Sequence, residues 1–395
     1  MTMLPPPGPE IVAIPGPSII PERVLRAMHR SMPDIYAGEL TRVIDEVWET
    51  LPRIARTSGR VFLPIGNGHA AWEMALANTL SRGQKVLVLD GGRFAMLWGE
   101  MAEFNGLEVD TVAFERGASV DPAGVEERLR ADTNHEIAAI LTVQVDTATS
   151  VRNDIAAIRQ AIDAAGHPAL FMVDCIASMG CERFEMDAWG VDITVAASQK
   201  GLMTPPGLGI VWASPKALAA HETADMRTRY WDWTYRTEDG PYYLRFCGTP
   251  PVSHLFGLRE ALDMIETEGL DAVWTRHETL ADAIRTAVST WSTPEGLDFV
   301  AQRPQDRSHA VTSITTGEID AVELRRVCAE TTGVTLGLGI GGFEHSSFRI
   351  GHMGHLNAAT VLAVLGAIET TLMRMGAPLG GSGVAAAAHR LATGT

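Results

Sequence analysis

The sequence predicts an α/β fold: a mostly parallel sheet covered by helices on both faces, followed by a smaller α+β domain. Three observations predict it. From about residue 60 to 215 short apolar runs alternate with helical ones, the pattern of βαβ units. Those runs are short and mainly apolar, which suits a mostly parallel sheet covered on both faces. After about residue 250 the alternation gives way to two long amphipathic stretches and shorter strands.

In chain order, RVFLPI (60–65) precedes the helical HAAWEMALANTLSRG, and KVLVLD (85–90) precedes RFAMLWGEMAEFNG. EVDTVAF, a helix near 121–131, IAAILTV (137–143) and a helix near 153–165 come next. ALFMVD (169–174) and DITVAAS (192–198) complete the set. The later part carries helices over 253–268 and 270–291, strands AVTSITT and SSFRIGH, and helices near 319–331 and 357–375. The boundaries so drawn are an N-terminal arm (1–20), a large domain (21–255), a small domain (256–378) and a Gly/Ala-rich tail (379–395). The tail is expected to be ordered only in part.

With 46% hydrophobic residues, 395 residues can fill two cores. A net charge of −16 without a Lys/Arg cluster argues against nucleic acid or an anionic membrane as partner. Cys175, Cys181, Cys247 and Cys328 form no C-x-x-C pair and read as reduced thiols. The start, MTMLPPPGPEIVAIPGP, lacks the basic and apolar regions of a signal peptide. AATVLAVLGAIETTLMRMG is interrupted by Glu369 and reads as a buried helix. The expected compartment is the cytoplasm.

In a parallel sheet ligands bind beyond the C-terminal strand ends, so the residues there carry the functional reading. After RVFLPI come Gly66-Asn67-Gly68-His69, small residues at a helix start that suit an anion or an ordinary turn. No third glycine completes a dinucleotide pattern. After KVLVLD, Phe94 follows two glycines and is either core or a lid on a flat ligand. Asp174 ends a buried strand, where a carboxylate needs a donor or a cation. Lys200 follows DITVAAS, and only three of the 32 basic residues are lysines: Lys85, Lys200 and Lys216. An amine at this depth either reaches back to water or has a depressed pKa suited to imine chemistry. Together these are the parts of a pyridoxal-phosphate site, with Lys200 following Asp174 by 26 positions.

On these residues the chain resembles the class V aminotransferases of fold type I, on the alanine/serine/aspartate–glyoxylate branch. The resemblance runs from IPGPSIIPERVLRAM (14–28) through GNGHAAWEMALANTL and FMVDCIASMGCERFEMDAWGVDITVAASQKGLMTPPGLGIV to SFRIGHMGHLN (347–357) and GSGVAAA. It implies a seven-stranded, mostly parallel sheet in the large domain and pyridoxal 5'-phosphate as cofactor. It also implies a homodimer with active sites at the subunit interface. The implied reaction moves an amino group from serine, alanine or aspartate to a 2-oxo acid, foremost glyoxylate. A pyridoxamine–pyruvate or aminoethylphosphonate-type transaminase, a lyase, or a non-catalytic binding protein on the same fold are the alternatives.

By the same resemblance Lys200 holds the cofactor as a Schiff base and Asp174 pairs with its ring nitrogen. Ile176 and Phe94 pack on the two ring faces. Asn67, Gly68, His69 and Gln199 match phosphate or backbone contacts, and Thr147 lies near the 3-oxygen. Thr249 matches a phosphate contact from the neighbouring subunit. Arg349 matches the clamp on the substrate carboxylate. The chain departs from the family at Asp34-Ile35-Tyr36-Ala37, where Asp-His-Arg is frequent, and at Gln144-Val145-Asp146-Thr147, in place of His-Asn-Glu-Thr. It departs again at Ser150, for a common Gly, and at Phe246, for Tyr. His352 and His355 lack a third ligand, so no metal site is expected. The aromatic run YWDWTYRTEDGPYYLRF (230–246) reads as a lid or a subunit-interface loop.

Overall fold

The computed structural model describes residues 8–236 and 240–394. The first seven residues of the expected arm, 237–239 of the aromatic run and Thr395 of the tail lie outside the described residues.

The chain opens with β1 (Ile11–Ala13), α1 (Glu22–Met28) and α2 (Glu39–Ala55). The large-domain alternation then runs β2 (Arg60–Phe62), β3 (Ile65–Gly66), α3 (Gly68–Thr79), β4 (Lys85–Asp90), α4 (Arg93–Phe104), β5 (Glu108–Ala113), α5 (Pro122–Ala131) and β6 (Ile137–Val143). A short hairpin, β7 (Val145–Asp146) and β8 (Val151–Arg152), leads to α6 (Ile155–Ala165), β9 (Leu170–Asp174), β10 (Ile193–Ala197), β11 (Gly207–Ala213) and α7 (Pro215–Thr223).

Seven strands form one sheet in the order β2-β11-β10-β9-β6-β4-β5, with β3 pairing beside β11. β5, β4, β6, β9 and β10 are mutually parallel, while β11 runs antiparallel to both its neighbours, β10 and β2. Both faces are buried: Phe171 and Trp212 belong to the core on one side, Trp72, Trp98 and Met172 to that on the other. The expected strand RVFLPI is divided between β2 and β3. β11 adds to the strands expected from the sequence, since Gly207 and Gly209 dilute its apolar run. Gly209 is there for close approach: a Cβ would lie 3.0 Å from the Asn67 carbonyl. The parallel register aligns Val143, Asp174 and Val195 across β6, β9 and β10. The C-terminal ends of these strands therefore share one edge.

The second part comprises α8 (Val252–Glu268), α9 (Leu270–Trp291), β12 (Asp298–Phe299), β13 (Val311–Thr315), α10 (Ala321–Thr332), β14 (Val334–Leu338), β15 (Ser347–Gly351), α11 (Ala358–Arg374) and α12 (Gly383–Thr393). Its sheet has the order β1-β14-β15-β13-β12. The edge strand β1 comes from the arm and pairs parallel to β14, Ile11 opposite Val334. The arm is thus part of the small-domain sheet.

The tail corrects the expectation of partial order, for it carries α12. Ser382 caps this helix at Ala385 N, and Glu369 accepts from Ser382 Oγ (2.7 Å), Val384 N (2.9 Å) and Trp291 Nε1 (2.7 Å). The alanines favour helix, and the lack of a side chain at Gly383 lets its backbone rest on the Trp291 indole. The aromatic run packs onto the large domain: Trp233 stacks on Phe62 with centroids 4.5 Å apart. Among the described residues no helix is long and apolar enough to cross a membrane.

Candidate active site

Asp174, the last residue of β9, is 3% exposed. Two donors reach it. Ile176 N donates to Oδ1 at 2.6 Å and Trp72 Nε1 to Oδ2 at 2.8 Å. Burial nevertheless prevails and pushes the carboxyl up to about 7.

Lys200 follows β10 at the same sheet edge. Lys85 pairs with Glu136 (2.7 Å) and Lys216 with Asp192 (3.2 Å). Among the described residues Lys200 alone of the three lysines has no carboxylate partner; its Nζ donates to the Pro15 carbonyl. Burial, then the nearby Arg349 charge, lowers the amine to about 8. The arm holds this loop from above: Ser18 N donates to Gln199 O (2.9 Å) and Ser18 Oγ to Lys200 O (2.7 Å). Gly16 has a φ of +95°, and a Cβ there would collide with Lys200 Nζ. Gly16→Ala is therefore expected to lower thermal stability by about 1 kcal/mol or more. Unchanged melting would contradict this.

Asn67, Gly68, His69, Phe94, Thr147, Asp174, Ile176, Gln199 and Lys200 all line one cavity of about 200 Å³, together with Trp72, Val143, Val145 and Ala177. The N-terminus of α3 opens onto it, and Asn67 Oδ1 accepts from His69 N at 3.1 Å. A side chain at Gly68 would displace Ile176, because a Cβ would meet Ile176 Cδ1. Gln199 Oε1 is buried and has no hydrogen-bond partner among the described residues. Phe94 is set by its backbone: Phe94 N donates to Asp146 Oδ2 at 3.0 Å. Oδ1 of the same carboxylate accepts from Ala148 N and Thr149 N, both at 3.0 Å, and thereby shapes the loop bearing Thr147.

Arg349, in β15, does not itself line this cavity. Its Nε donates to Leu338 O (2.6 Å) and its Nη1 to the carbonyl of Thr147 (2.8 Å), so the guanidinium is anchored beside a residue of the cavity wall. It is 7% exposed, and burial lowers it to about 10, still a cation at neutral pH. Thr249 is exposed and is not on the cavity wall.

The departures separate into two kinds. Tyr36 is 71% exposed and meets Tyr243 edge-on, away from the cavity. Gln144 and Phe246 are internal: Gln144 Nε2 donates to Arg183 O (2.9 Å), and Phe246 is edge-on to Trp48. Ser150 has a φ of +62°, a left-handed conformation that glycine adopts more readily than serine. Its hydroxyl accepts from Ser313 N (3.1 Å) of β13, joining the two domains. His352 is occupied by Thr312 Oγ1 and His309 O, both at 2.9 Å.

A family model described as aminotransferase class-V matches residues 15–347. The chain belongs to the class V aminotransferase family. It is 41% identical over 393 residues to a serine–glyoxylate aminotransferase of Methylorubrum extorquens, covering 98% of this chain and 96% of the relative. An L-aspartate–glyoxylate aminotransferase of Paracoccus denitrificans is 40% identical, with 95% and 94% covered. The solved pyridoxamine-pyruvate aminotransferase of Mesorhizobium loti superposes with a TM-score of 0.87 at 27% identity, covering 98% of each chain. This class V aminotransferase places three features at the cavity that sequence reasoning missed: the Trp72 donor, the Asp146 bracket and the arm over Lys200. Trp72 had an available signal, its position four residues after Gly68 on the same helical face. The other two depend on contacts distant in sequence.

Proposed function

We propose that the chain is a pyridoxal-5'-phosphate-dependent transaminase that moves the amino group of serine, alanine or aspartate to a small 2-oxo acid, foremost glyoxylate. The observation that carries this is the placement of Lys200, free of any carboxylate partner among the described residues, on the same cavity wall as Asp174. The names of the relatives at about 40% identity support the glyoxylate acceptor.

The residues present fit the cofactor. The unpartnered Gln199 Oε1, the α3 N-terminus and a buried carboxylate are what a small anionic ring compound would satisfy. Asn67, Gly68, His69 and Gln199 would hold its phosphate end, with Thr249 contributed by the partner protomer of a homodimer. Phe94 and Ile176 would bracket the ring, and Thr147 would meet its 3-oxygen. When bound, the cofactor supplies an aldehyde that exchanges amines and a ring that withdraws electrons. Asp174 keeps a proton on the ring nitrogen. Arg349 orients the donor's carboxylate through its remaining guanidinium N–H groups. The Lys200 amine, lowered to about 8, is basic enough to take the α-proton and acidic enough to return it. The cytoplasm is the proposed location.

Single-turnover absorbance tests this. At least one of serine, alanine and aspartate should convert the loaded protein to its amine form, and glyoxylate should restore it. Conversion by pyridoxamine alone, with pyruvate as acceptor, would favour the chemistry of the Mesorhizobium loti neighbour. No half-reaction with any amino acid would defeat the proposal.

A further inference from the structure

We propose that Trp72 is a positioning residue for Asp174, its indole N–H holding one carboxylate oxygen so that the group stays fixed and ionised for the cofactor's ring nitrogen. The inference rests on the role of Asp174 given above. The geometry is specific. Trp72 is 1% exposed, lines the cavity, and places Nε1 2.8 Å from Asp174 Oδ2. The other oxygen is held by Ile176 N, so each oxygen receives one N–H donor.

The identity of the donor matters. An indole N–H donates and cannot accept. A serine, asparagine or neutral histidine in its place could receive the carboxylic proton and so accommodate the protonated acid. An indole favours the carboxylate alone. Packing does not account for the contact. Trp98 stacks on Trp72 with centroids 5.9 Å apart, yet among the described residues its own buried indole N–H has no acceptor, nor has that of Trp233. Burial of an indole in this core therefore does not require a partner, and Trp72 has a charged one.

The other ionisable groups around Asp174 act in both directions. Lys200, beyond β10, favours its ionisation, and Asp146, from the β7–β8 hairpin, opposes it. Cys175, next in the chain, keeps its thiol protonated because burial pushes it up. His69 lies against the Trp72 ring, 4.5 Å between centroids, and burial lowers its pKa. None of them replaces an N–H donor at Oδ2.

The test is the pH dependence of pyridoxal 5'-phosphate binding to the apoprotein, followed by absorbance from pH 6 to 9.5. Trp72→Phe keeps an aromatic ring and removes the N–H. With the donor gone Asp174 holds its proton to higher pH. The dissociation constant should therefore rise about tenfold near pH 7 and stay within about twofold of the parent above pH 9. A second variant with L-3-benzothienylalanine at position 72, which has the shape of tryptophan with sulfur for the N–H, should behave alike and stands in if the phenylalanine variant does not fold. Curves that superimpose on the parent's, or weakening by the same factor at every pH, would overturn the proposal. Asp174→Asn separates the two readings. If it leaves the parent's pH curve unchanged, the role of Asp174 fails and this inference with it. If it flattens the curve while both position-72 variants match the parent, only Trp72 fails.

Discussion

Replacing Lys200 by alanine is expected to abolish transamination, by about 10⁴-fold or more, and to remove the one residue on which borohydride can fix the cofactor. The case rests on contrast among three lysines. Lys85 and Lys216 sit in ion pairs with side chains 27% and 45% exposed, while Lys200 faces the cavity without a carboxylate. Borohydride treatment of the loaded protein followed by peptide mass analysis should find the adduct on Lys200 alone. An adduct on either other lysine, or full turnover in Lys200→Ala, would refute the assignment. The substitution also has a pH signature in the apoprotein. Burial lowers the Lys200 amine to about 8 in the folded chain, against 10.5 for a free side chain. The folded state therefore disfavours the protonated amine below about pH 8, and that penalty fades as pH rises toward 10.5. Lys200→Ala should melt higher than the parent apoprotein at pH 7, with the difference shrinking by pH 10.

Arg349→Lys is expected to raise the KM for the amino donor about 100-fold, the loss of roughly 3 kcal/mol of charge-assisted bonding. Arg349 uses Nε and Nη1 to bind the carbonyls of Leu338 and Thr147, which fixes the plane of its fork. Among the described residues no carboxylate lies within ion-pair distance of it, so a buried cation awaits an anion. Lysine keeps the charge but cannot make both anchors and present a further N–H pair. Steady-state kinetics decides this: an unchanged KM would exclude Arg349 from carboxylate binding.

Much of this site is legible in sequence because buried charge is rare and stands out. Asp174 and Lys200 end apolar strands, where only a partner or a function accounts for a charge. Phe94 and Gln199 follow strands in the same way. Arg349 is different: nothing in FRIG itself marks a clamp, and only resemblance singles it out. Trp72 and Asp146 escaped because their hydrogen bonds join residues 102 and 52 positions apart. β11 and α12 were obscured by glycine, which local propensity reads as loose chain. In this fold the glycines instead permit close packing, at Gly209 against Asn67 and at Gly383 against Trp291.

The pairing of β1 with β14 bears on how the chain is made. β1 is synthesised well before its partner β14, which follows about 320 residues later. At about 5–20 residues per second, that leaves an unpaired apolar segment for roughly 16 to 65 seconds. The large domain can form within that interval, but the small-domain sheet and the wall over Lys200 cannot be completed until the last quarter of the chain has emerged. The site is then assembled by a closure of very long range, which carries both the entropy of a large loop and a slow step. Nascent chains stalled before β14 should therefore hold a folded large domain with an arm still open to proteases.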